Sequence, residues 1–132
     1  MANHFHSLVW IDHRLAKILN FNDSANETTL VHSTHAHEHL HHKANSGDSG
    51  HSAIDKKFLE RVSQSLAHAG AIFIVGPGNA KTELQRYIEH AHPLIAAKIS
   101  AVETVDHPSD GELLAQGRRF FVADDRMRSQ PA

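Results

Sequence analysis

The chain has 132 residues, 40% of them hydrophobic, enough for one domain that folds without a disulfide or metal staple. It contains no cysteine, which excludes disulfide frameworks, thiolate zinc sites and cysteine nucleophiles and fits a reducing, cytoplasmic setting. Formal charge is -2 with its 14 histidines neutral, so the sign turns on mildly acidic pH, and no lysine–arginine stripe announces nucleic acid by charge alone. The first residues lack the basic start and apolar core of a signal peptide, and no apolar run approaches ~20 residues, so no membrane partner is expected.

Ser7-Leu-Val-Trp-Ile11 is a short apolar run that ends at Asp12-His13-Arg14, a tight turn. Ala16 to Phe21 reads as a second strand, residues 22 to 26 as a second turn, and the β-branched stretch Glu27 to Ser33 as a third strand of an antiparallel meander. From Ala53 the period changes: Ile54, Phe58, Leu59, Val62 and Leu66 recur at helical spacing, with Ser52 or Asp55 placed to cap the start. Ala71-Ile-Phe-Ile-Val75 is apolar throughout, as in a strand covered on both faces. Gly76-Pro-Gly-Asn79 breaks it, with Asn79 as N-cap of a helix that carries Leu84, Tyr87, Ile88 and Ala91 and stops at Pro93. Ile99 to Val105 is a further strand. Ser109 or Asp110 caps a last helix bearing Leu113, Leu114, Phe120 and Phe121, and a polar tail from 124 to 132 is expected to fray.

The order is therefore β-β-β-α-β-α-β-α, an α/β domain over residues 1–123 with a mixed five-stranded sheet, which is the element order of the ribonuclease H-like fold. Trp10 and Phe21 are most simply core.

Between the third strand and the first helix lies a histidine cluster. If it is extended, His35, His37, His39 and His41 share one face, and neutral imidazoles so spaced can chelate zinc or another divalent transition metal. Residues 37–41 also match the H-E-x-x-H pattern, whose chemistry needs a helix with Glu38 as general base and a third ligand from elsewhere. Five histidines in residues 35–42 make that match easy to reach by chance. Gly76, Gly78, Asn79 and Lys81 form a turn between strand and helix where backbone N–H groups can hold a phosphate, although Ala80 before Lys81 departs from a Walker loop. Asp12 and Glu60 stand where a two-metal nuclease keeps acids. The fourth strand, however, runs into Gly76-Pro77 without one, so Asp12 reads as a turn residue and Glu60 as a solvated helix position. His68, His90 and His92 fall on predicted helices, as surface or satisfied core histidines.

Val9-Trp-Ile-Asp-His-Arg-Leu-Ala-Lys-Ile18 resembles the opening hairpin of the middle domain of the eukaryotic and archaeal peptide-chain release factor and of Pelota. His42-Lys43, a glycine-bearing loop, His51-Ser52-Ala53 and Phe58-Leu-Glu-Arg61 are similar to the release factor's catalytic loop and following helix. Ile72-Phe-Ile-Val-Gly-Pro-Gly-Asn-Ala-Lys81 resembles its next strand and turn, and Glu103-Thr-Val-Asp106 a later one. Over residues 7 to 123 the chain is similar to a family of small bacterial proteins of the translational machinery. The resemblance implies a ribosome-associated module on a ribonuclease H-like fold. The release factor's Gly-Gly-Gln tip promotes peptidyl-tRNA hydrolysis; the corresponding loop here, Lys43-Ala-Asn-Ser-Gly-Asp-Ser-Gly50, lacks that tripeptide, and Gln64 lies beyond it in the helix. The release factor's flanking domains are expected to be absent as well.

Taken together, a cytoplasmic, translation-associated and non-enzymatic protein without a cofactor is expected. It would bind the ribosome or tRNA through a loop and helix start comprising Lys43, Asn45, Ser46, Gly47, Gly50, His51, Ser52, Lys56 and Lys57, where lysines meet RNA phosphates. DNA is not an expected partner. The alternative is a histidine-rich metal-binding protein or metal-dependent hydrolase using His35, His37, His39 and His41. Exposed sheet edges also allow a homo-oligomer.

Overall fold

The first two turns are built alike, from one polar side chain folded back on its own backbone. In the computed structural model, which describes residues 5–22, 24–33 and 55–128 (side chains through 124), Asp12 Oδ1 accepts from the amides of Arg14 and Leu15, each at 2.8 Å. Asn22 Oδ1 accepts from Ser24 N at 3.0 Å and Ala25 N at 2.9 Å. These Asx turns join β1 (His6–Ile11) to β2 (Leu15–Phe21) and β2 to β3 (Asn26–His32), giving the expected meander.

The chain then forms α1 (Lys56–Ser65), β4 (Ala71–Gly76), α2 (Ala80–Ala91), a single turn α3 (Pro93–Ala96), β5 (Ile99–Thr104) and α4 (Asp110–Arg128). The sheet order is β3-β2-β1-β4-β5, with β1–β4 and β4–β5 parallel. This is a ribonuclease H-like mixed sheet of five strands. Only β2 runs against the others, so the carboxyl ends of β1, β3, β4 and β5 share one edge.

Alternation sorts the core into two layers. Val9, Ile11, Ile18, Ile72 and Ile74 pack under α1, α2 and α3 with Phe58, Val62, Leu84 and Ile88. Leu8, Trp10, Leu19, Phe73 and Val75 face α4, which covers them with Leu113 and Phe121. The fully apolar β4 is thus covered on both faces, as expected. Asp55 caps α1 by accepting from Lys57 N at 3.0 Å; Ser52, Ala53 and Ile54 lie outside the described residues. Ser109 caps α4 in a reciprocal box: its amide donates to Glu112 Oε1 at 2.8 Å, and Glu112 N donates to its hydroxyl at 3.2 Å.

Two expected helix boundaries hold with added detail, and one needs correcting. Asn79 occupies the N-cap of α2, but its side chain makes no capping bond; its carbonyl accepts from Glu83 N at 3.0 Å. Pro93 follows the end of α2 and also opens α3 at the first helical position, where a missing N–H costs nothing. α4 runs on through Asp124 to Arg128 instead of yielding to a frayed tail. Among the described residues, no helix is long and apolar enough to cross a membrane.

Candidate nucleic-acid interface

The shared carboxyl edge carries the β1–β2 turn, the exit from β3, the β4–α2 turn and the β5–α4 connection. In parallel α/β sheets this is the edge where ligands bind. Lys56 and Lys57 open α1 here, both exposed. Gly76, Gly78, Asn79 and Lys81 sit at the end of β4, three strand spacings from β3, about 14 Å. The remaining predicted RNA contacts, Lys43, Asn45, Ser46, Gly47, Gly50, His51 and Ser52, and the candidate metal ligands His35, His37, His39 and His41, lie outside the described residues.

The β4–α2 turn has its own structural reasons. Gly76 is buried, and a Cβ built there would lie 2.3 Å from the Ile11 carbonyl oxygen, so only glycine lets β1 and β4 end this close together. Its carbonyl accepts from Val105 N at 3.0 Å. The Lys81 ammonium folds back to donate to the Gly78 carbonyl at 2.5 Å, within its own turn.

Most acids near this edge are already committed. Asp12 holds its turn and Asp55 its cap. Asp110 accepts from Lys17 Nζ at 2.8 Å, while the Lys17 ammonium also lies 5.8 Å from the Trp10 ring. Trp10 Nε1 donates to the Asp106 carbonyl at 2.8 Å, pinning the β5–α4 connection over β1. Glu83 lies 3.5 Å from His13 Nε2. The Arg61 guanidinium donates to the His32 carbonyl and ties α1 to the end of β3. Lys56 and Lys57 meet no carboxylate among the described residues.

The constellation that sequence reading missed is centred on Glu60. Tyr87 Oη donates to its Oε1 at 2.5 Å, His92 Nε2 lies 2.7 Å from the same oxygen, and Gln64 Nε2 donates to Oε2 at 2.6 Å. A carboxylate only accepts, so Nε2 of His92 carries the proton. Glu60 is therefore neither a free metal-binding acid nor a simply solvated residue. The Tyr87, His92 and Gln64 donors hold its carboxyl down at about 2, and the bond to Glu60 pushes the Tyr87 phenol up. Among the described residues, no three His, Asp or Glu side chains converge as metal ligands.

Because Glu60 is more acidic folded than unfolded, its contribution to stability is complete above the ordinary value of 4.5 and lost as pH falls toward 2. The side chain is 38% exposed, so solvent screening reduces that contribution to about 1 kcal/mol. Glu60→Gln is expected to flatten the decline in stability across that window, read by urea unfolding at a series of pH values. An unchanged acid limb would refute the assignment.

No protein-family model matches the chain, and no curated protein matches it. Among solved structures it is similar to Pelota of Archaeoglobus fulgidus, with a TM-score of 0.66 and 15% identity over 96% of this chain and 36% of that one. It is also similar to Pelota of Thermoplasma acidophilum, with a TM-score of 0.58 and 14% identity over 83% of this chain and 30% of the other. An archaeal translation termination factor matches with a TM-score of 0.55 and 13% identity over 95% of this chain and 39% of its own. The chain thus spans about a third of the length of these structures. At the level of the fold, the expected likeness to the middle domain of the release factor and Pelota is borne out.

Proposed function

We propose that this chain acts in translation as a ribosome- or tRNA-binding module that uses the carboxyl edge of its sheet, without the Gly-Gly-Gln chemistry of peptide release. The observation that carries the reading is the shared fold with Pelota and a translation termination factor. Support comes from the edge itself, where most nearby acids are engaged internally and Lys56 and Lys57 meet no carboxylate among the described residues. Phosphate contacts of this kind are ionic and weaken as counterions compete.

Cosedimentation with ribosomes from lysate tests it. Binding is expected at low salt and should fade as salt rises. Lys56→Ala with Lys57→Ala is expected to weaken it about tenfold at low salt, two phosphate contacts being lost. Deleting residues 43–51 is expected to weaken it further. No cosedimentation at low salt, or binding indifferent to both changes, would sink the proposal.

A further inference from the structure

Glu60 stands four residues after Lys56 and three after Lys57, the two spacings at which opposite charges meet on a helix surface. Neither pair forms. Both carboxylate oxygens are taken by Tyr87 and His92 from α2 and its end, and by Gln64 one turn further along α1. Tyr87 is the telling member: a tyrosine on the half-buried side of α2 has few rotamers to lose, and its hydroxyl anchors the carboxylate on the α2 side of α1. Arg61, on the opposite flank, is drawn to the end of β3. The outward face of α1 then presents Lys57 and Gln64, continued by His68 in the following turn, with no free acid among them.

We infer that Tyr87 and His92 are positioning residues: by withdrawing Glu60 from Lys56 and Lys57, they keep two ammonium groups unneutralised for the phosphates of an RNA strand. This rests on the ribosome- or tRNA-binding reading above and adds to it the part of the molecule that sets its charge. Without the two donors, the carboxylate swings to the nearest cations on its own helix. The site then loses the equivalent of one phosphate contact although no lysine has been altered.

The experiment is a rescue cycle on the full chain, with a 20-nucleotide poly(U) RNA as probe and binding followed against salt. Tyr87→Phe with His92→Phe, which leaves no donor at either position, is expected to weaken binding about three- to tenfold and to lower the salt slope by about 0.7, the value of one single-strand phosphate. Adding Glu60→Gln to that pair should restore both. Glu60→Gln alone should bind as tightly as the unaltered chain or more so. An unchanged salt slope in the double variant overturns the inference, as does failure of Glu60→Gln to rescue it, since a merely structural role for Tyr87 and His92 would not be repaired by removing the acid. If the pair of changes unfolds the chain, Tyr87→Phe alone serves in the same cycle. NMR of the lysine ammonium groups gives an answer even without RNA. Coupling of Lys56 or Lys57 to Glu60 should appear only when the donors are removed, and its presence in the unaltered chain, or its absence from the variant, overturns the inference. Failure of the unaltered chain to bind poly(U) would instead count against the parent reading.

Discussion

Replacing Gly76 by valine is expected to lower unfolding free energy by about 3 kcal/mol, the upper range for forcing atoms into a packed interior. The clash is with backbone: the new Cβ would meet the Ile11 carbonyl oxygen at 2.3 Å, and that oxygen belongs to a strand held on both sides by its neighbours. No rotamer change relieves it, so β1 and β4 must separate where the β4–α2 turn begins. Gly78, two residues on, provides the control. A Cβ there meets nothing within 4 Å, and Gly78→Val is expected to change stability by no more than about 0.5 kcal/mol. Urea midpoints with an unchanged slope would measure both. Equal effects at the two positions would show that turn flexibility matters more than close approach.

Phe73→Ala carries the second large expectation, a loss of about 3–5 kcal/mol. Phe73 is 1% exposed and stacks on Phe120 with ring centroids 4.0 Å apart, while Phe121 meets it edge-on at 6.3 Å. This aromatic group is the apolar centre of the α4 contact with the sheet, beside Leu113 and the close seat of Gly117, where an added Cβ would fall 2.9 Å from the Phe21 ring. The cavity should therefore loosen α4 before the opposite layer. Hydrogen exchange is expected to speed up in α4 while α1 and α2, packed with Phe58 and Ile74 on the other face, keep most of their protection. Uniform loss of protection would instead mean that the two layers unfold as one.

Much of this fold was legible because its determinants are local. Asp12 and Asn22 close their turns with their own side chains, Ser109 and Glu112 complete a cap within four residues, and the apolar run of β4 could only be covered on both faces. Pro93 stops α2 as expected and also starts α3, a second role that the sequence did not announce. The boundary misjudged was the end of α4, where a polar stretch continues a helix already anchored upstream. The Glu60 constellation was out of reach for a different reason. Two of its three partners are 27 and 32 residues away, and nothing in the spacing of Tyr87 or His92 reveals that α2 lies beside α1. Read along its own helix, Glu60 is a solvated position; in the fold, it is held by Tyr87, His92 and Gln64. The histidine run and the glycine-bearing loop remain expectations of the sequence.

The bond from Arg61 to the His32 carbonyl has a consequence for the way molecules of this chain meet in solution. Ladder bonds between Arg14 and Ser33 at one end of the β2–β3 pair, and between Asn22 and Ala25 at the other, place the residues whose amides turn inward at Val31, Thr29 and Glu27. Asn26, Thr28, Leu30 and His32 therefore direct their backbone groups away from the sheet. The guanidinium occupies the last of these carbonyls, so that among the described residues Asn26, Thr28 and Leu30 are left as a template for a foreign strand. The same arginine that fastens the first helix thus shortens the β3 margin that a foreign strand could use.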